Sequence, residues 1–358
     1  MLGLPFRRVF PGELPKLVLT LALAGAGGAA AAALKLPVPW ISGSMVVVAV
    51  ASVLGAPMLV SRWLREIVFF FLGLNIGGAV TPATIAGVVT WPASIVVLIL
   101  GLPVLVVGCA LPLIYGRGWG RDDAFMATVP GALSFILALA DATDADVPRI
   151  VMVQAFRVAV LVAIVPPLVS LTSGVDLTAP MPQAALPGPL DAALLVGLGL
   201  LAAFLIRLTR FPAAGLLGAL VASAGLHATE VVSASMPAWS MMIAFVVLGA
   251  GIGARFTGLG WRRLRDGLVD AAMTFVIGFV IALATALVAS LWLGFPFPQT
   301  ILAFAPGGFE VMVVMAFLMG VDAAYVGVHH TVRFVALLLL APVLFRKRRD
   351  GEGGSTGP

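Results

Sequence analysis

The sequence predicts an all-α polytopic membrane protein made of two inverted-topology repeats, each with about five transmembrane helices and one Pro-Gly-broken, re-entrant helix. Three observations predict this fold. Of the 358 residues 61% are apolar and only 10% are charged, the two halves share one sequence pattern, and the basic residues sort to one side of the predicted membrane. Soluble domains carry about 25% charged residues, so the composition argues against a soluble enzyme. A single cysteine, Cys109, excludes a disulfide scaffold within the chain.

The apolar stretches predict ten membrane-spanning helices, five in each half of the chain. A bilayer crossing takes roughly 20 mostly apolar residues, and short loops separate the stretches. The first five lie at about 17–34, 41–56, 66–80, 92–114 and 149–170. The second five lie at about 190–208, 213–229, 239–254, 268–294 and 323–345.

An internal duplication relates the two halves of the chain. The segment FFFLGLNIGGAVT from Phe69 aligns with FVVLGAGIGARFT from Phe245. The same offset in residue number relates four further features: Pro130-Gly131 to Pro306-Gly307, Asp146 to Asp322, Arg157 to Arg333, and Pro166 to Pro342. We therefore divide the chain into four parts: a first membrane repeat at 1–170, a Pro-rich linker at 171–190, a second membrane repeat at 191–345, and a basic, disordered cytoplasmic tail at 346–358.

One further apolar stretch in each half is broken near its start by Pro-Gly, at 124–140 and at 300–320. If these stretches cross the bilayer, each repeat has six crossings and the repeats are parallel. If they enter and return, each repeat has five crossings and the repeats are inverted. A simple proline kink in a crossing helix is the alternative to a re-entrant break.

The distribution of Lys and Arg decides between these topologies, because cytoplasmic loops are enriched in basic residues. With the N-terminus inside, the five-plus-five arrangement places 18 of the 21 basic residues in the cytoplasm and one, Lys35, outside. Arg157 and Arg333 remain within the membrane. The six-plus-six arrangement divides the basic residues 11 to 8 and places the arginines of 255–265 outside. The sequence therefore predicts a multi-pass membrane protein with inverted repeats and both termini cytoplasmic.

The broken stretches are the predicted substrate site. Inverted repeats with interrupted helices are typical of secondary transporters, whose sites lie near the bilayer midplane. A helix that restarts after Pro-Gly presents free N–H groups and partial positive charge to an anion. The predicted substrate-binding residues at the two breaks are Pro130, Gly131, Ser134, Pro306, Gly307, Gly308 and Glu310.

Arg157 and Arg333 complete the predicted substrate-binding set. They lie well inside their predicted spans at 149–170 and 323–345, deeper than ordinary loop charges. The planar guanidinium group suits a carboxylate or phosphate, so the matched pair would bind an anion from two sides. The alternatives are snorkelling to the membrane interface or pairing with Glu310 or Asp141.

Glu310 and His330 are the candidate proton-coupling residues. Glu310 interrupts an apolar stretch, where a charge costs at least ~2.5 kcal/mol, so it is expected to be protonated, paired or open to a cavity. Imidazole titrates near neutral pH, and His329 and His330 precede Arg333 by one helical turn. The alternatives are a structural ion pair for Glu310 and polar packing for the histidines. No metal site is predicted, since metal ligands do not cluster in the sequence.

Three more polar residues have structural interpretations. Asp146 and Asp322 precede the last span of each repeat, where capping of a helix N-terminus is expected. Asn75 lies between Gly73 and Gly77, where it either lines a cavity or marks close helix packing.

The paired motifs ATVPGALSF and FAPGGFEVMVVMAF, together with VHHTVRF, PWISGSM and LGLNIGGAVTP, resemble the AbrB family of duplicated bacterial membrane proteins. This family is distinct from the small soluble DNA-binding regulator of the same name. Pro306, Gly307, Gly308, Glu310 and Met312 keep part of the family motif, whereas Ala132 and Phe135 depart from it in the first copy. The resemblance implies either regulation of gene expression or an ammonia monooxygenase. Three histidines in 358 residues argue against a copper oxygenase.

The sequence and this resemblance thus favour a secondary transporter-like protein of the bacterial inner membrane that moves a small anionic solute, with proton coupling. The alternative is a membrane-embedded regulator or sensor that affects gene expression indirectly. We expect no enzymatic activity, no cofactor and no nucleic-acid partner. The expected partners are the lipid bilayer, a small-molecule solute and a second copy of the chain in a homodimer.

Overall fold

The computed structural model describes residues 12–80, 82–130, 145–174, 186–209, 211, 213–234 and 236–344, and all regular structure within them is helical. The first half contains α1 (Leu14–Ala33), α2 (Pro39–Val53), α3 (Arg62–Gly78), α4 (Pro82–Gly87), α5 (Trp91–Leu111), α6 (Arg121–Thr128) and α7 (Val147–Ser173). The second half contains α8 (Pro189–Leu208), α9 (Ala214–Ala228), α10 (Ala238–Gly253), α11 (Gly260–Leu293), α12 (Phe297–Phe304), α13 (Phe309–Leu318) and α14 (Ala323–Leu344).

Six helical segments of the described chain are long and apolar enough to cross a membrane. They are Leu14–Ala33, Val88–Gly116, Val147–Thr172, Pro189–Leu208, Trp239–Phe256 and Gly260–Leu293. The prediction of a helical, membrane-type protein is confirmed. The remaining four predicted spans correspond to α2, α3, α9 and α14, three of which are shorter apolar helices. Their crossing, and with it the total of ten, stays a prediction.

Helix α11 begins at Gly260, two turns before the predicted span at 268–294. Its first turns carry Arg262, Arg263, Arg265 and Asp266, all exposed, before the apolar stretch starts. Apolar patterning identifies only the part of a helix that faces lipid or the core. Charged residues also form helix readily, so the helix continues beyond the apolar stretch.

Most helices of the two halves correspond in order along the sequence. The first residues of α1, α2, α3, α6 and α7 match those of α8, α9, α10, α12 and α14 at an almost constant offset in residue number. Val38 and Ala213 both adopt left-handed backbone conformations just before α2 and α9. Matching strained positions in the two copies support the duplication that the sequence predicts.

The two halves pack into each other through matched glycines. A Cβ added to Gly73 of α3 would overlap the carbonyl oxygen of Leu216 in α9. In the other half, a Cβ added to Gly249 of α10 would overlap the carbonyl oxygen of Ile41 in α2. Small residues allow helix backbones to approach this closely. Each half therefore contributes one helix to the core of the other.

Both broken stretches begin with a short helix that ends at an extended residue. Val129 follows α6 with φ −54° and ψ 120°, and Ala305 follows α12 with φ −53° and ψ 138°. In the second copy α13 starts again at Phe309. The predicted interruption at 300–320 is confirmed as two helices separated by residues 305–308. In the first copy the chain after Pro130 lies outside the described residues up to position 144.

Candidate functional site

Arg333 binds the backbone of the second break. Its Nη1 donates to the carbonyl oxygen of Ala305 at 2.7 Å, and its Nη2 donates to that of Gly307 at 2.8 Å. The side chain is buried within α14, at 3% exposure. The guanidinium group thus satisfies carbonyl oxygens that the broken helix leaves without helical donors.

Arg157 also binds backbone carbonyls at the first break, and one of the two is equivalent to a partner of Arg333. Its Nη1 donates to the carbonyl oxygen of Thr128 at 3.0 Å, and its Nη2 to that of Val129 at 3.3 Å. Val129 is the counterpart of Ala305 in the first copy. Both arginines therefore bind the carbonyl of the residue that follows the short helix. Their second contacts differ, because Arg157 binds Thr128 at the end of α6 and Arg333 binds Gly307 after Pro306. Both side chains therefore have a structural role. Their predicted contact with substrate would have to share the guanidinium groups with these backbone carbonyls.

His330 has the hydrogen-bonding pattern of a neutral imidazole. Its Nδ1 lies 2.6 Å from Arg333 Nη2, which can only donate, and its Nε2 lies 3.0 Å from the carbonyl oxygen of Leu302, which can only accept. The proton therefore sits on Nε2. In the first copy Gln154 Nε2 donates to the carbonyl oxygen of Met126 at 2.7 Å, the position equivalent to Leu302.

His329 is also engaged in packing. Its Nδ1 lies 2.8 Å from the carbonyl oxygen of Tyr325, and its Nε2 lies 2.9 Å from Ser94 Oγ. Its ring centroid is 3.9 Å from that of Tyr325, and the side chain is fully buried. Among the described residues no group of three His, Cys, Asp or Glu side chains could hold a metal ion.

Neither break arginine has a carboxylate partner in the described part of the chain. No ion pair joins Arg157 or Arg333 to Glu310, one of the predicted alternatives. The other, Asp141, lies outside the described residues, as do the predicted site residues Gly131 and Ser134. Arg157 Nε is buried without a hydrogen-bond partner among the described groups. Both guanidinium groups are thus buried without a carboxylate partner among the described residues.

The prolines and glycines of the breaks shape the backbone. Pro130, Pro306 and Gly307 are buried, and a Cβ added to Gly307 would collide with the side chain of Met312 at 2.6–2.9 Å. Gly308, which is half-buried, takes an extended conformation immediately before α13. Gly307 is therefore required for packing against Met312.

Glu310 lies apart from the break arginines, in an open crevice whose enclosed space is about 30 Å³. Arg65 of α3 and Arg255, in the 3-10 turn after α10, line the same crevice. Arg255 and Glu310 are half-buried, and Arg65 is exposed. Sequence reasoning assigned the two arginines only to membrane topology. Their positions at helix ends gave no signal that α3, α10 and α13 meet at one point.

A buried ionic cluster around Asp270 was also missed from the sequence. Asp270 of α11 is 1% exposed and accepts hydrogen bonds from Arg117 Nε, from Trp119 Nε1 at 2.8 Å and from Arg149 Nη2 at 2.9 Å. The Arg149 guanidinium lies 3.9 Å from the centre of the Trp119 ring. A lone acid within a long apolar stretch was the available signal, as it was for Glu310.

Asp146, Asp322 and Asn75 each form a hydrogen bond with the backbone of their own helix. Asp146 Oδ1 accepts from the N–H of Arg149, and Asp322 Oδ1 accepts from the N–H groups of Ala324 and Tyr325. Both capping predictions are confirmed. Asn75 is buried and donates to the carbonyl oxygen of Phe71 at 2.9 Å, which agrees with its place in a helix-packing segment.

The fold defines an α-helical, membrane-type protein, and the described residues include one interrupted helix, in the second half. The family described as "Transition state regulatory protein AbrB" matches residues 40–349. The chain belongs to the AbrB family, in agreement with the resemblance of its motifs.

Two curated relatives are similar to the chain. The YhjN protein of Bacillus subtilis (strain 168) is 26% identical over 246 residues, which cover 62% of this chain and 62% of YhjN. A protein of Escherichia coli (strain K12) named as a candidate regulator AbrB is 24% identical over 261 residues, which cover 72% of this chain and 74% of that protein. The matched region thus spans less than two thirds of the length of YhjN.

Proposed function

We propose that this protein is a secondary transporter of a small anionic solute, located in the bacterial inner membrane with both termini cytoplasmic. The observation that carries the proposal is the matched pair of helix breaks, each held by a buried arginine. Non-helical backbone at membrane depth is tolerated where it is buried in protein or lines a cavity, and a pair of such segments is typical of transporter sites.

The proposal includes two inverted repeats of five crossings at 1–170 and 191–345, joined by the linker at 171–190 and followed by the tail at 346–358. The pairing of α3 with α9 and of α2 with α10 supports an axis of pseudo-symmetry between the copies. The excess of buried positive charge at Arg157 and Arg333 supports an anionic solute, because an uncompensated buried charge is costly.

Glu310 is the proposed carrier of the coupling proton. It lines a crevice and has no ion pair in the described part of the chain. His330 is the weaker candidate, because Gln154, which does not titrate, makes the equivalent hydrogen bond in the first copy. We expect no cofactor, no nucleic-acid partner and no enzymatic reaction, and a homodimer in the membrane.

Uptake by reconstituted vesicles tests the proposal. Phospholipid vesicles containing the protein, with an inward proton gradient, are expected to accumulate one or more of a panel of radiolabelled carboxylates, amino acids and phosphate. Protein-free vesicles are the control. Glu310→Gln is expected to abolish accumulation driven by the gradient while exchange of internal for external solute persists. If no anion enters above the control, with or without a gradient, the transporter proposal is wrong.

The alternative is a membrane-embedded regulator of gene expression, which the name of the E. coli relative favours. Deletion of the gene would then change transcript levels while uptake remains absent. A transcript change that follows from lost uptake, and that external solute reverses, supports the transporter.

A further inference from the structure

We infer that the crevice lined by Arg65, Arg255 and Glu310 binds a small monocarboxylate that also carries a hydrogen-bond donor. This inference rests on the proposed function, because it names the solute class of that transporter. The three charged groups come from α3, from the turn after α10, and from the first turn of α13.

The charges of the crevice are not satisfied by ion pairs within the described residues. Glu66, the acid nearest to Arg65 along α3, contacts Arg62 at 2.9 Å and Arg207 at 3.8 Å. Arg65, Arg255 and Glu310 form no ion pair within 4.0 Å in the same described ranges. Two guanidinium groups and one carboxylate leave a net charge of about +1, which a single carboxylate group would neutralise.

The three charged residues of the crevice differ from the break arginines in how they occur in the two repeats. Residues that hold the breaks recur in equivalent positions, as Arg157 does with Arg333. Arg65, Arg255 and Glu310 do not recur, because their counterparts are Met241, Ala79 and Ser134. The arginine that contacts the break thus occurs in both copies, whereas the three crevice charges occur in one copy only. The charged groups of the crevice therefore have no charged counterparts at the equivalent positions of the other repeat.

The size and lining of the crevice limit the ligand. The enclosed space of the crevice is about 30 Å³, enough for one or two water-sized groups, so the head group of a ligand is enclosed while its body lies in the open mouth. Apolar side chains form the remaining wall: Phe69, Val247, Leu248, Ile252 and Val311. The arginine fork suits a carboxylate, the apolar wall suits a short aliphatic body, and the Glu310 carboxylate accepts a hydrogen bond. A short hydroxy- or amino-carboxylate meets all three conditions.

Binding to the detergent-solubilised full chain tests the inference without transport. Calorimetric titrations use four compounds. Lactate carries a hydroxyl donor and alanine an ammonium donor, whereas propionate has no donor and phosphate is a different kind of anion. Lactate or alanine is expected to bind at least about threefold more tightly than propionate and phosphate, and Arg255→Gln is expected to weaken that binding about tenfold or more. Glu310→Gln is expected to reduce the preference over propionate, because the acceptor for the donor group loses its charge.

Arg62→Gln is the matched control, since Arg62 lies one turn before Arg65 on α3, is exposed and pairs with Glu66. It is expected to bind as the wild type does. Arg65→Gln, at an exposed position where folding is not at risk, provides a second variant and is expected to weaken binding at least about threefold. Any of three results overturns the inference: unchanged affinity in both Arg65→Gln and Arg255→Gln, binding that is tightest for phosphate, or no binding of the four compounds.

The two proposals fail separately. Vesicle uptake of a solute that is indifferent to Arg65 and Arg255 leaves the transporter in place and removes the crevice as its site. If binding depends on these arginines but vesicles show no uptake, the crevice is a ligand site and the transporter proposal is wrong.

Discussion

Gln154 and His330 make the same hydrogen bond in the two halves of the protein. Gln154 Nε2 donates to Met126 at 2.7 Å, and His330 Nε2 donates to Leu302 at 3.0 Å, with donors and acceptors at equivalent positions of the two repeats. Each side chain holds a carbonyl of the short helix before its break. A histidine near a buried arginine suggests proton chemistry, but its counterpart shows that an amide serves the same structural purpose.

His330→Gln is therefore expected to fold with nearly wild-type stability, because glutamine reproduces the donor to Leu302. His330→Leu is expected to lose about 1–3 kcal/mol, since the Leu302 carbonyl and an Arg333 N–H lose their partner in a buried site. Thermal unfolding in detergent measures both. If His330→Gln keeps its stability but loses gradient-driven uptake, His330 has a role in proton coupling after all.

Asp270→Ala is expected to destabilise the protein by about 3 kcal/mol, because it removes a buried acceptor shared by two arginines and a tryptophan. Arg117 and Arg149 are partly exposed, so water relieves part of the loss. Asp266→Ala is the control, since its pair with Arg265 is exposed and contributes little. Equal thermal midpoints for the two variants would contradict the assigned importance of the Asp270 cluster.

Gly73→Ala and Gly249→Ala are each expected to lower stability by about 1–3 kcal/mol, because the added methyl group overlaps the backbone of α9 or α2. Gly197→Ala on α8 is the matched control, since a Cβ there meets nothing within 4 Å. Unfolding followed by circular dichroism in detergent makes the comparison. Loss of stability in Gly73→Ala alone would show that the two contacts are not equivalent.

Cysteine labelling tests the proposed inversion. Leu54 and Thr229 are exposed residues directly after α2 and α9, and they occupy equivalent positions in the two repeats. In a Cys109→Ala background, Leu54→Cys is expected to react with a membrane-impermeant thiol reagent only from the cytoplasm. Thr229→Cys is expected to react only from outside. Reaction of both from the same side would establish parallel repeats instead, and protein in opened membranes controls for access.

Much of the architecture was predictable from the sequence because it depends on repeated or local patterns. The duplication matches Arg157 with Arg333 in the sequence alone, and Asp146 and Asp322 are recognisable as helix caps from their positions. The break at Pro306-Gly307 followed from the backbone properties of those residues. Helix ends were less predictable, as the early start of α11 at Gly260 illustrates, because charged residues continue a helix after the apolar pattern ends.

The sequence by itself determined the helical membrane class, the two related halves and the interruption in the second copy, since these follow from composition, periodicity and backbone chemistry. Only the tertiary structure decided which side chains meet. Arg333 contacts backbone carbonyls rather than Glu310, and Glu310 shares a crevice with Arg65 and Arg255, both of which are distant from it along the chain. Such encounters depend on how distant helices pack, and local sequence patterns carry no information about that packing.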